Sequence, residues 1–302
     1  MSSESGEQDV QSVSVIGLGA MGSGIARTFL KSGRNVSVWN RSRAKVDALV
    51  AEGAHACDSA KDAIMANTHV VVCLTDYAAW KTIIDSEGLT DCFDCRCLIQ
   101  LTTGTIEMVQ AHEEFILKQG ARLADGAVMC YPRDLGTETG SLLMAGSAAA
   151  LEESAPLLSA LAPTWTDLGD DITRPTILSR ALMVDVGLSL IGVVNGVALA
   201  RSGGIPLDVF MEHSMNVGSI IPAEKVRLIE AIRDGNTTET QATINAWGEG
   251  QKAVRSVATS LGTNRVLQDA VDAVFTEAER LGLGQHDLAA LTEVFSGGAS
   301  DS

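Results

Sequence analysis

The sequence predicts an α/β domain in its first half, a long connecting helix, and an all-α domain after it. Three observations carry this expectation. Short β-rich runs alternate with helical segments as far as about residue 145. A single apolar run then covers 176–200, about seven helical turns. Beyond it strand alternation disappears, and apolar residues recur at helical spacing to the C-terminus.

Taken in order, 13–16 reads as the first strand, 36–39 as the second and 70–74 as the third, with 97–101 and 123–128 continuing the series. Between the first two, 21–31 reads as a helix ended by Gly33. Residues 142–145 suit a further strand before a helix starting near Leu151. The long helix begins just after Pro175 and stops before Gly203-Gly204. Later helices are expected at 206–215, 221–233, 238–261, 265–282 and 287–295, before a frayed Gly-Gly-Ala-Ser-Asp-Ser end. The resulting boundaries are 12–174, 175–201 and 202–296.

Composition narrows the function classes. The chain has 302 residues, enough for one large domain or two ordinary ones, and 46% apolar residues, enough for a filled core. A formal net charge of -16 argues against nucleic acid and anionic membrane as partners, which call for a basic surface. Residues 1–11 are polar and acidic with no apolar centre, unlike a signal or transit peptide. The stretch 181–200 contains Asp185 and Asn195 and is flanked by Arg180 and Arg201, so a buried helix is expected there in place of a membrane span. Of six cysteines, Cys92, Cys95 and Cys97 are close enough to raise zinc. No second pair or nearby histidine completes four ligands, so no metal is expected, and free thiols point to a reducing, cytoplasmic setting.

Gly17, Gly19 and Gly22 form GLGAMG directly after the first strand and at the head of the first helix, a Rossmann fingerprint. The glycines divide three tasks: a tight turn, close backbone approach to a pyrophosphate, and close helix–strand contact. Leu18, Ala20 and Met21 share the turn, and the pyrophosphate is expected over N–H groups at the helix N-terminus. The alternative is a purely structural glycine turn. The second strand ends in Trp39-Asn40-Arg41-Ser42. An acid here binds the ribose of NAD; Asn40 removes it, while Arg41, Ser42 and Lys45 offer donors to a 2′-phosphate, favouring NADPH. Against this, Arg41, Arg43 and Lys45 also fit an ordinary solvated charge run. Leu74 and Thr75, then Thr103 and Thr105, follow later strands and face the same crevice; either threonine suits the nicotinamide end or caps the next helix.

These residues carry a family resemblance. Residues 15–42, VIGLGAMGSGIARTFLKSGRNVSVWNRS, resemble the opening of the β-hydroxyacid and 6-phosphogluconate dehydrogenases. LTTGT at 101–105, DGAVMCYPRDLG at 125–136, AGS at 145–147 and NGVALARSGGIPLDVF at 195–210 are similar to the imine reductase and reductive aminase branch. The likeness spans about 12–296. It implies a Rossmann domain, an interdomain helix and a helical domain, in intertwined homodimers whose active sites are each closed by the partner's helical domain. It also implies a small-molecule substrate, either an imine or a carbonyl plus an amine.

The resemblance also poses a proton-donor problem. The hydroxyacid branches use a lysine early in the long helix, and this chain has none between Lys118 and Lys225. Imine reductases place Asp or Tyr there; anchoring on Gly192, Gly196 and Phe210 puts Ser179 at that position. Serine is a weak acid, suited to positioning a water or bonding an amine, or else a helix residue without chemistry. Asp185 lies about 120° around the helix from it. Tyr131, after a predicted strand, is the better spare donor, ahead of Tyr77, His213 and Trp247. An iminium relaxes the requirement, since hydride alone yields the neutral amine. Met129, Met183, Leu190, Met211, Met215 and Trp247 could line the pocket or simply pack. Three functions fit: imine reduction, reduction of an activated carbonyl aided by Ser179 or Tyr131, and non-catalytic dinucleotide binding.

Overall fold

The computed structural model describes residues 12–296; the leading 1–11 segment and the terminal 297–302 segment, both read above from sequence, lie outside the described residues. Eight strands form one sheet: β1 (Ser12–Ile16), β2 (Asn35–Trp39), β3 (His55–Ala56), β4 (His69–Val72), β5 (Cys97–Gln100), β6 (Arg122–Val128), β7 (Leu142–Gly146) and β8 (Thr166–Asp167). Their order is β3-β2-β1-β4-β5-β6-β7-β8. The pairs from β3 to β6 are parallel, β6 and β7 are antiparallel, and β7 and β8 are parallel. The helices are α1 (Ala20–Lys31), α2 (Arg43–Val50), α3 (Ala60–Ala66), α4 (Tyr77–Glu87), α5 (Ile106–Lys118) and α6 (Ala148–Leu161).

Period-two side-chain alternation places two apolar cores on the two faces of this sheet. Val15, Val71 and Ile99 face one core with Ile25 and Phe29 of α1 and Leu157 and Leu161 of α6. Val70, Val72 and Leu98 face the other with Ile64, Trp80, Val109 and Ile116 from α3, α4 and α5. Every strand expected from sequence is present, though the run at 70–74 ends at Val72. The two-residue strands β3 and β8 are too short to show a period and were not expected.

Contacts divide the chain between Asp185 and Val186, inside α7 (Arg174–Ser202). This 29-residue helix starts two residues before the expected Thr176 because Pro175 fits its first turn, where no N–H is needed. By length and composition α7 is apolar enough to cross a membrane. Many of its apolar side chains are exposed in the single chain, Val184 and Leu188 among them, where the sequence had suggested a buried helix. The second unit contains α8 (Leu207–Gly218), α9 (Ile221–Arg233), α10 (Ile244–Ser260), α11 (Val266–Arg280) and α12 (Thr292–Phe295). The helix expected over 238–261 begins only at Ile244, since Thr243 caps it by accepting from the Ala246 N–H. Ile244, Phe275, Ala278 and Ala290 form this unit's small core.

Candidate active site

In this sheet β1 lies between β2 and β4, so successive connections leave it in opposite directions. The crevice at the carboxyl ends of β1 and β4 is the switch point at which open parallel sheets bind ligands. Four loops open there, after β1, β2, β4 and β5, and they carry Gly17 to Met21, Asn40 to Ser42, Leu74 and Thr75, and Thr103.

The three glycines do separate work. Gly17 has φ +93°, a left-handed conformation, and any Cβ there would collide with the Cys73 carbonyl at the end of β4. A Cβ on Gly22 would collide with the Gly17 carbonyl, so α1 and the turn are packed backbone to backbone. A Cβ on Gly19 meets nothing within 4 Å. The protein does not use that space, and a pyrophosphate fits there.

Helix capping points to the same crevice. The helices α3, α4, α5 and α6 are each capped by a side chain, from Ser59, Asp76, Thr105 and Ser147. In contrast, α1 and α2 have no side-chain cap and no acid in the first turn. Their N-termini therefore present N–H groups and positive dipole ends to an outside anion. The arrangement suits a dinucleotide with a pyrophosphate at α1 and a 2′-phosphate at α2.

Asn40 braces the two loops. Its Oδ1 accepts from the Leu18 N–H at 3.0 Å, and its Nδ2 donates to the Ser42 carbonyl at 3.3 Å. A carboxylate could make the first bond but not the second, so asparagine does more here than remove a charge. Arg43 is tied to Asp47 and Asp58. Arg41, Ser42 and Lys45 are exposed, and among the described residues neither Arg41 nor Lys45 makes an ion pair. Leu74 gives its backbone N–H to Thr102 Oγ1 at 3.1 Å. Of the two threonines left open by sequence, Thr105 caps α5, whereas Thr103 is exposed.

Ser179 is buried and its hydroxyl donates to the Thr176 carbonyl at 3.0 Å, within its own helix turn. The neighbouring Arg180 reaches the Gly104 carbonyl at 3.4 Å, which sets the start of α7 beside the 101–105 loop. Tyr131 is 62% exposed, with the Arg133 guanidinium 4.7 Å from its ring centre. No hydrogen bond joins Tyr131 to Ser179 among the described residues. Met129 is half-buried, while Met183, Leu190, Met211, His213, Met215 and Trp247 are exposed on their own units.

Of a buried polar chain behind the crevice, sequence reasoning singled out only Tyr77, as a spare donor, and the structure buries it. Tyr77 donates its hydroxyl to Asp125 Oδ2, and its ring meets His112 edge-on at 5.3 Å. His112 lies 3.3 Å from the Gln100 amide, and Gln100 Oε1 accepts from the Thr102 N–H. The signal was a lone acid in the apolar run of β6, a carboxyl that burial obliges to find a partner. Burial pushes Asp125 up to about 8, against the Tyr77 hydrogen bond, which lowers it. An unfolded aspartate ionises near pH ~4. The folded state therefore holds this proton more tightly, and stability falls as pH rises from about 4 to about 8, then levels. Asp125→Asn keeps an acceptor for Tyr77 and removes the titration. Its unfolding free energy from urea denaturation should decline less than that of the unmodified protein between about pH 5 and pH 8, by on the order of 2–4 kcal/mol. Parallel curves would refute the assignment.

Comparison with known proteins agrees with this geometry. A family profile described as the NAD binding domain of 6-phosphogluconate dehydrogenase matches residues 12–169. An imine reductase from Myxococcus stipitatus, solved with NADP+, superposes with a TM-score of 0.91 at 28% identity, covering 94% of this chain and 99% of that one. A reductive aminase from Aspergillus terreus, solved with NADPH4, cyclohexanone and allyl amine, gives 0.87 at 26% identity over the same shares. An NADPH-dependent reductive aminase of Aspergillus oryzae is 28% identical over 191 residues, 63% of this chain and 64% of that protein. The match thus spans somewhat under two thirds of this curated relative.

Proposed function

Because the chain belongs to the family defined by the NAD binding domain of 6-phosphogluconate dehydrogenase and shares the fold of imine reductases and reductive aminases, we propose that it reduces the C=N bond of an imine or iminium to an amine with NADPH. The observation that carries this reading is the head of α7. It offers no lysine, and its Ser179 hydroxyl is buried and already bonded to Thr176. The acid/base group of alcohol–carbonyl interconversion is missing, whereas an iminium carbon needs no proton at the moment of reduction.

NADPH, when bound, supplies the hydride. The Gly17–Gly19 turn and the uncapped N-terminus of α1 hold the pyrophosphate. Arg41, Ser42 and Lys45 hold the 2′-phosphate, and Thr103 offers its hydroxyl toward the nicotinamide end. Tyr131, exposed after β6, is the residue we assign to hydrogen-bond the substrate nitrogen. Ser179 serves the helix.

Turnover settles the substrate class. With cyclic imines or ketone–amine pairs, NADPH oxidation should exceed amine-free carbonyl controls. Turnover confined to the carbonyl controls would favour carbonyl reduction, and silence with NADPH bound would leave a non-catalytic dinucleotide-binding protein.

The exposed apolar side chains of α7 and the helical domain support a second copy of the chain as their cover, in a homodimer that closes each active site from the partner. Light scattering after gel filtration should return twice the chain mass at micromolar concentration. A monomer would overturn the shared site. The six free cysteines suit a cytoplasmic setting for this enzyme.

A further inference from the structure

The amino ends of β4, β5 and β6 lie at the opposite end of the sheet from the cofactor crevice. Three ligand-type side chains meet there. His69 opens β4, Cys97 opens β5, and their parallel register pairs the two residues. Period-two alternation puts both on the face of Val71 and Ile99, the face that α6 covers. Glu153 of α6, one helical turn before Leu157, arrives over them. His69 Nε2, Cys97 Sγ and a Glu153 carboxylate oxygen all lie within 4.8 Å of one another. The expectation of no metal rests on chain distance, since no histidine stands near Cys97 in sequence; the sheet register brings one alongside.

Two features separate this cluster from ordinary packing. His69 is 6% exposed, yet its Nε2 has no hydrogen-bond partner; Glu153 Oε1, at 3.5 Å, is not placed to make one. Such orphaned nitrogens are rare, because nothing offsets their loss of water. The other two groups already have the supports that metal ligands call for. Arg122 donates to both Glu153 oxygens and fixes the carboxylate, leaving each oxygen a further lone pair. Ser154 Oγ, 3.3 Å from Cys97 Sγ, can donate to a thiolate. Tetrahedral zinc holds nitrogen, sulfur and oxygen ligands about 3.3–3.6 Å apart. The His69–Glu153 separation already matches, and Cys97 would draw inward by no more than about 1.3 Å.

We propose that His69, Cys97 and Glu153 bind Zn2+, with water in the fourth position, and so tie α6 to the amino ends of β4 and β5. One nitrogen, one sulfur and one oxygen suit zinc, whereas Mg2+ and Ca2+ take oxygen alone. On binding, the Cys97 thiol becomes a thiolate and its proton passes to water. Glu153 and Arg122, with side chains 29% and 37% exposed, border the path by which the ion enters. None of these residues belongs to the cofactor loops, so the site holds the fold and takes no part in hydride transfer.

Cobalt(II), which adopts zinc's geometry and gives a thiolate charge-transfer band, is the probe. The metal-stripped full chain should take up a single equivalent with that band, and zinc should displace it. X-ray absorption of the zinc-loaded chain, which needs no variant, should show one sulfur neighbour in a shell completed by nitrogen and oxygen. Cys97→Ser should abolish the band, and His69→Gln should weaken cobalt binding by at least about 10-fold. Cys95→Ser, at the exposed neighbouring thiol, should leave both intact. In urea denaturation, zinc at roughly 100 times its Kd should raise the folded-to-unfolded ratio about 100-fold, and should not do so for Cys97→Ser. The proposal fails if no sulfur neighbour or thiolate band is found, if the band survives Cys97→Ser or depends on Cys95, or if loss of His69 leaves cobalt affinity unchanged.

Discussion

Gly22→Ala is expected to destabilise the protein by roughly 3 kcal/mol or more, while Gly19→Ala keeps the fold and loses the cofactor. The added methyl at Gly22 runs into the Gly17 carbonyl, and backbone so tightly placed cannot give way cheaply. Gly17 cannot retreat, because its left-handed turn is itself pressed against the Cys73 carbonyl. At Gly19 the backbone is extended, with φ -66° and ψ -172°, a conformation any residue adopts. Its methyl enters protein-free space, so folding should change by less than about 1 kcal/mol. That same space is where a pyrophosphate must approach, and NADPH affinity should fall by about 100-fold. Urea denaturation and fluorescence titration separate the two effects. Normal NADPH binding by the Gly19→Ala variant would remove the pyrophosphate from this turn.

Arg41→Ala should raise the Kd for NADPH by roughly 10–100-fold, the range of a charge-assisted bond to phosphate, and leave NADH nearly unchanged. Arg43→Ala is the internal control. Both arginines are exposed and two residues apart, but Arg43 is already engaged by Asp47 and Asp58. Losing it should hardly affect the discrimination between cofactors. Equal weakening of NADPH and NADH in the Arg41 variant would refute its assignment to the 2′-phosphate.

The division between what the sequence revealed and what it withheld follows interaction range. The GLGAMG turn, the missing acid at Asn40 and the helical period of the second half are local patterns, and they placed the fold and its crevice. The Asn40 brace is legible only once β1 and β2 lie side by side, since it joins residues 22 apart. The Tyr77–Asp125 bond spans 48 positions and leaves no periodic trace. Thr103 and Thr105 were equivalent in sequence, and only the helix that Thr105 caps separates them. Ser179 was found by aligning spacing, which says where a residue falls and nothing of where its hydroxyl is spent.

The loops of the cofactor crevice also have an order in time. Residues 17–21, 40–45, 74–75 and 103 all precede α5, and β1 to β5 are a contiguous block of the finished sheet. A ribosome releases the N-terminus first. The nascent chain has therefore emitted every loop proposed to hold the dinucleotide before any residue of α7 is synthesised. A dinucleotide held by these loops would favour the closed α/β half by mass action while the apolar α7 is still to come.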